Sequence, residues 1–158
     1  MTPERTCTTM TQIVLPQFTN NHGTVFGGQI AAWADICAAI SAQRFARTGV
    51  VTVSIDELHF LKPVHQGMVL ELNSMVNRAW GSSMEVGVRI EAEHPVTGRR
   101  VHCCSAYLSF VSLDAEGHPA KLPELDTSQD PEFSRRADEA QARRDHRLKM
   151  REMRRSQR

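Results

Sequence analysis

Residues 18–45 read FTNNHGTVFGGQIAAWADICAAISAQRF, and the rest of the chain is organised around them. The stretch opens as a polar loop, Thr19 to Thr24, in which Asn and Gly supply turn conformations that other residues resist. Gly27 and Gly28 follow. From Gln29 onward there is no Pro, and no Gly until Gly49; seven alanines in that run raise its helix propensity. Ile30, Trp33, Cys37, Ile40 or Ser41, and Phe45 recur at helical spacing, and alanine fills much of the remainder. A helix that is small or apolar nearly all round is expected to be buried. One carboxylate, Asp35, sits in its middle, with Ala31, Ala32, Ala38 and Ala39 one turn away and no cation to pair it. A buried charge costs free energy unless it is paired or hydrogen-bonded. Asp35 is therefore either a satisfied structural carboxylate or a general base or nucleophile in a pocket wall. The free N–H groups at a Gly-Gly helix start suit polarisation of a carbonyl oxygen, which favours the second reading.

Working outward, Met10 to Leu15 reads as a first strand, stopped by Pro16. Arg47-Thr48-Gly49 carries the usual helix-ending signals, a cation and a following glycine. Val50 to Leu61 is a strand whose apolar phase slips from Val51, Val53 and Ile55 to Leu58 and Phe60, which predicts a bulge near Asp56-Glu57. Met68 to Val76 is the next strand, broken at Ala79-Trp80-Gly81. Met84, Val86, Val88, Ile90 and Ala92 alternate without a fault, the clearest strand pattern in the chain. Val101 to Leu113 is the last long strand. One long helix followed by turn-linked strands predicts an α+β fold with an antiparallel sheet wrapped on the helix.

At 158 residues with a net charge of +1, the chain has the length of one domain, and its total charge selects no partner. The distribution is more informative. Residues 134–158 carry ten Lys and Arg against four Asp and Glu, leaving a deficit of cations elsewhere. The chain divides into a core, 1–123, an acidic polar linker, 124–133, and an Arg-rich helical tail, 134–158. The tail has few apolar positions, so a solvated helix, dispensable for folding, is expected; the alternatives are a docking helix on a partner subunit and a basic patch. Its interspersed acids and lack of aromatic residues argue against nucleic-acid binding. Cys7, Cys37, Cys103 and Cys104 show no metal-ligand spacing, so no metal site is expected. Cys103 and Cys104, being adjacent, should face opposite sides of their strand. No apolar run approaches a membrane span and no signal peptide is evident, so a reduced, cytoplasmic protein is expected. A Ser nucleophile elbow, a P-loop and a dinucleotide fingerprint are all missing.

The pattern N-x-x-G-T-V-F-G-G, six residues, then D, from Asn20 to Asp35, resembles the signature of the hotdog-fold acyl-CoA thioesterases of the acyl-CoA hydrolase family. The resemblance continues in VVTVSIDELHFLKPV (50–64), SSMEVGVRIEAEHPVTG (82–98) and CCSAYLSFVSLDAEGHPAKLP (103–123), and covers about residues 10–125 in order. It implies the hotdog fold and hydrolysis of acyl-CoA to free acid and coenzyme A, with no cofactor beyond the substrate. Asp35 is then the general base or nucleophile, and the backbone of Gly27 or Gly28 the oxyanion donor. By spacing alone Asn20 is a turn residue; by resemblance it orients the water or the carbonyl. Coenzyme A is implied to lie on Val53-Ser54-Ile55 and Ser82-Ser83-Met84. Lys62, Arg78, Arg99 and Arg100 are candidates for its phosphates. The family further implies a homodimer with Asn20 of one copy facing Asp35 of the other, assembled into a hexamer as a trimer of dimers. Two alternatives share the fold: a non-catalytic acyl-CoA sensor, and a dehydratase using His22 as base.

Overall fold

The computed structural model describes residues 1–157. Strands β1 (Thr8–Ile13), β2 (Gly49–Phe60), β3 (Val69–Trp80), β4 (Ser83–Glu93) and β5 (Arg100–Leu113) form one antiparallel sheet in the order β1-β3-β4-β5-β2. Helix α1 (Gly27–Ala46) lies against one face and helix α2 (Pro131–Ser156) against the other. The α+β arrangement and its helix-wrapping sheet are those expected. Among the described residues no helix is long and apolar enough to cross a membrane.

The inner face is built by alternation. Met84, Val86, Val88, Ile90 and Ala92 of β4 meet Leu70, Leu72 and Val76 of β3 and Ala106, Leu108 and Phe110 of β5, all buried. Against them α1 places Ile30, Trp33, Ala34, Cys37, Ala38, Ala42 and Phe45. The opposite side of α1 is open: Ile36 is 52% exposed and Ala32 is also exposed. The expectation of a helix buried all round therefore fails within one copy of the chain. Arg47, not Gly49, takes the left-handed conformation that ends α1, with φ 56°, and its N–H bonds to Gln43 O at 2.9 Å. Gly49 instead opens β2.

The slip expected in β2 is present between Ile55 and Glu57, and a second one between Thr52 and Ser54 leaves Val53 as an extra residue. A further slip opposite Ile90–Glu91 falls at Cys103. This bulge turns Cys103 inward beside Cys104, so both thiols are buried in the core rather than on opposite faces. β3 also runs on to Trp80 instead of breaking at Ala79.

The outer face corrects the reading of the tail. Asp130 caps α2 by accepting from Glu132 N at 2.8 Å, and the helix begins at Pro131. It is docked rather than solvated. Ala137 and Ala140 are buried against the sheet, small enough to allow close approach. Trp80 Nε1 donates to Gln141 Oε1 at 2.7 Å, and the Arg144 guanidinium lies 4.6 Å above the Trp80 ring. Glu85, only 1% exposed, accepts from Arg143 at 2.8 and 3.0 Å and from Asn77 Nδ2 at 3.0 Å. Arg143 also stacks 3.6 Å from the Tyr107 centroid. Gly87 is required beneath this network, because a Cβ there would stand 2.8 Å from Asn77 Nδ2.

Breaking a buried pair by removing one partner leaves an uncompensated charge, at a cost of about 3–5 kcal/mol. Arg143→Ala should therefore lower Tm markedly in a thermal melt. Adding Glu85→Gln should recover part of the loss, because the orphaned charge is then gone. A melt unchanged by Arg143→Ala would return α2 to a dispensable tail.

Candidate active site

The loop before α1 is tied together by Asn20. Its backbone N–H donates to Thr24 O at 2.8 Å, and its carboxamide oxygen accepts from the amides of His22 and Thr24 at 2.9 and 3.3 Å. Asn20 Nδ2 donates to Thr24 Oγ1 at 2.9 Å, which leaves one amide hydrogen for a ligand. Gly23, at φ 72°, supplies the left-handed step. Val25 N bonds to Val64 O at 2.9 Å and fixes the loop to the approach of β3. Asn20 is thus a turn residue in this fold, exposed with its amide edge outward; His22 is exposed beside it.

No side chain caps α1, so the amides of Gly27 and Gly28 at its start have no partner within the helix. Both glycines are exposed. A Cβ on Gly27 would approach the Phe60 ring to 3.0 Å, and one on Gly28 the Phe26 ring to 3.2 Å. Glycine lets two half-exposed aromatic rings approach the helix start, where the helix dipole favours negative charge.

Asp35 is half-buried, on the open side of α1, and its Oδ1 accepts a hydrogen bond from Thr52 Oγ1 at 2.7 Å. The pairing follows from lengths. Asp35 lies twelve residues before Arg47, about 18 Å of helix. Thr52 lies five residues after it, about 17 Å of returning strand. Thr52 was not singled out from the sequence, although this arithmetic points to it. Gly27, by contrast, is eight residues from Asp35, about 12 Å along the same helix.

Val53 bulges from the β2 edge, Ser54 Oγ donates to Asp56 Oδ1 at 2.9 Å, and Ile55 is exposed. Ser82 O accepts from Ser112 N at 2.8 Å, Ser83 Oγ donates to Trp80 O at 3.2 Å, and Met84 is fully buried. Ser83 pairs with Val111, which pairs with Val51, so the two segments share one end of the sheet with β5 between them. Arg78 is engaged by α2, through Ala137 O and Asp138, and Arg100 by Glu71 and Glu93. A cleft of about 730 Å³ opens between Val53–Glu57 and the α2 residues Arg143, Arg147, Arg151 and Arg154. Sequence reasoning did not join these elements, because the tail was read as undocked.

Residues 22–98 match the model of the Thioesterase superfamily. The uncharacterized acyl-CoA thioester hydrolase YkhA of Bacillus subtilis (strain 168) is 43% identical over 115 residues, covering 73% of this chain and 67% of that protein. Acyl-coenzyme A thioesterase 11 of Mus musculus is 41% identical over 147 residues; the chain spans 24% of its length. Among solved structures, an apo-hexameric acyl-CoA thioesterase superposes with TM-score 0.90 at 37% identity, covering 95% of this chain and 96% of that one. The acyl-CoA hydrolase of Staphylococcus aureus, solved with butyryl coenzyme A, coenzyme A and coenzyme A disulfide, does so with TM-score 0.90 at 36% identity over 99% and 94%. The chain belongs to the hotdog-fold acyl-CoA thioesterases.

An acyl-CoA thioesterase can use a carboxylate or a thiol as nucleophile, and the four thiols here are poorly placed. Burial pushes Cys103 and Cys104 up to about 11 and about 12, and desolvation also raises Cys37 despite a hydrogen bond with Ser74. All three stay protonated at neutral pH and are buried; only Cys7 is exposed. Among the described residues no group of three or more His, Cys, Asp or Glu is placed to hold a metal. A thiol titration at pH 7.5 should accordingly find one reactive cysteine in the native protein and all four after denaturation. Blocking it should leave thioester hydrolysis intact. Rapid native labelling of more than one thiol, or loss of activity on labelling, would contradict this assignment.

Proposed function

We propose that the protein hydrolyses acyl-CoA to a free carboxylic acid and coenzyme A at a site shared between two copies of the chain. The observation that carries the reading is Asp35, a half-exposed carboxylate on an otherwise apolar helix side, steered by Thr52 at 2.7 Å. Either Asp35 takes a proton from a water that attacks the thioester carbon, or its carboxylate attacks directly and water then cleaves the anhydride. In both routes the carbonyl oxygen gathers negative charge, which the amides of Gly27 and Gly28 are oriented to receive. Collapse of the tetrahedral species releases the thiolate of coenzyme A, and only water is consumed.

The base and the oxyanion donor must both lie near 3 Å from the reacting carbonyl. The ~12 Å of helix between Gly27 and Asp35 argues against a single copy supplying both. A second copy, seated on the open side of α1 where Ile36 and Val51 are exposed, brings its own Asn20 loop and Gly27-Gly28 to Asp35. The free amide hydrogen of Asn20 then orients the water or carbonyl. Val53-Ser54-Ile55 and Ser82-Ser83-Met84 offer backbone groups to the pantetheine amides. Structures of the Staphylococcus aureus enzyme include variants in which an asparagine, an aspartate and a threonine are each replaced by alanine. Their spacing equals that of Asn20, Asp35 and Thr52 here, which supports the same trio. Two structural neighbours are hexamers, which supports assembly of three dimers.

Asp35→Asn should preserve the melting curve and lower kcat by about 10²–10⁴-fold in a thiol-release assay, the usual range for a lost general base. Near-normal turnover would make Asp35 structural. Asn20→Ala and Asp35→Asn protomers, each weakly active, should regain part of the activity when mixed, because one site of a mixed dimer is intact. Failure to regain any after demonstrated subunit exchange would place a complete site in each copy.

A further inference from the structure

Helix α2 crosses the outer face in strand order and is neutralised as it goes. Asp138 meets Arg78 of β3, Arg143 meets Glu85 of β4, and Arg147 meets Asp56 of β2. β2 is the last strand. Arg151 and Arg154 lie one and two turns further on the same stripe as Arg147, and neither pairs with a carboxylate among the described residues. They overlook the cleft beside the Val53 bulge. Four guanidinium groups line that cleft against two carboxylates: Asp56, already held by Arg147 and Ser109, and Glu57, which lies 3.6 Å from His59. Val53 and Met150 add an apolar surface.

Asp35 and the cleft lie against the same edge strand from its two faces. Thr52 touches the carboxylate, and Val53 to Glu57 continue for up to about 17 Å at ~3.3 Å per residue. An acyl-CoA with its thioester at Asp35 carries its charge at the far end of an extended pantetheine arm. Its 3′-phosphate and pyrophosphate are the anions that planar guanidinium groups bind best, often bidentately. The extra backbone groups at the bulge are free for a pantetheine amide. We propose that this cleft binds the phosphate end of coenzyme A, with Arg151 and Arg154 as its anion-binding side chains. The assignment rests on the acyl-CoA hydrolase reading and adds the cations that hold the substrate.

The test compares coenzyme A with pantetheine, which lacks the phosphates, by calorimetry, and butyryl-CoA with S-butyryl-pantetheine in turnover, using the full-length protein. Arg151→Gln/Arg154→Gln should weaken coenzyme A binding by on the order of ten- to a hundredfold, as expected for one or two lost charge-assisted hydrogen bonds. KM for butyryl-CoA should rise with kcat held, and the preference for the CoA ester over the pantetheine ester should collapse. Lys149→Gln/Arg155→Gln, an equal charge loss outside the cleft, should keep that preference. An unchanged preference in the cleft variant overturns the proposal. So does an equal loss in the control, which would reduce the effect to general steering, or dissociation of the cleft variant on gel filtration, which would make the cleft a subunit contact. If the wild type binds coenzyme A through these arginines yet cleaves no thioester, the cleft stands and the hydrolase reading falls.

Discussion

A sheet has two faces, and here each must be covered by a different kind of helix. The inner face alternates into Leu, Val, Ile, Met and Phe, and α1 covers it with alanine and a few large apolar groups. The outer face presents Asn77, Glu85, Tyr107, Ser109 and Asp56, which an apolar helix cannot cover without leaving charges unpaired. α2 meets that face with alanines where it must come close and arginines where carboxylates wait. The Glu85–Arg143 contact is central, since Glu85 is wholly buried and that guanidinium supplies two of its hydrogen bonds. Its composition, which looks unsuited to packing, is the complement of the surface it covers.

The inner helix is incompletely covered, and the proposed chemistry lies on its open side. Its packed side fixes its height against the sheet, and β2 returns along it, so helix and strand lengths deliver Thr52 to Asp35. Its open side leaves that carboxylate on an apolar surface with Ile36 beside it. Such a surface is a liability for an isolated copy and a natural seat for a second one. On the proposed mechanism, the separation of Asp35 from the amides at the same helix's start gives a second copy a chemical reason as well as a hydrophobic one.

The elements that build the inner face were legible because alternation and helical period are local signals. β4 could be read directly, and the phase slip in β2 announced its bulge at Asp56. The bulges at Val53 and Cys103 were not legible: each is set by the partner strand's register, which no local pattern encodes. The ending of α1 at left-handed Arg47 was missed because glycine is the default there and tertiary packing overrode it. Asp35, Gly27 and Gly28 stood out as chemistry against an apolar background. The docking of α2 did not, because its apolar contribution is two alanines and the rest is ion pairing across 58 and 91 residues of sequence. Helix periodicity weighs apolar residues, so a helix held by charge reads as solvated.

The same bookkeeping of charge separates the arginines of α2 into two classes. Arg135 pairs with Glu132 and Glu139 within the helix, Arg143 and Arg147 with the sheet, and Arg144 with an aromatic face. Structural demand accounts for these, and it ends where β2 ends. A helix needed only to cover the sheet could stop at Arg147, yet it continues for nine residues to Ser156. Among the described residues that extension adds cations with no carboxylate partner, beside the strand that also carries Thr52. Uncompensated like charges on one helix repel and lower its stability. A polyanion in the adjoining cleft, as proposed for coenzyme A, would relieve that repulsion.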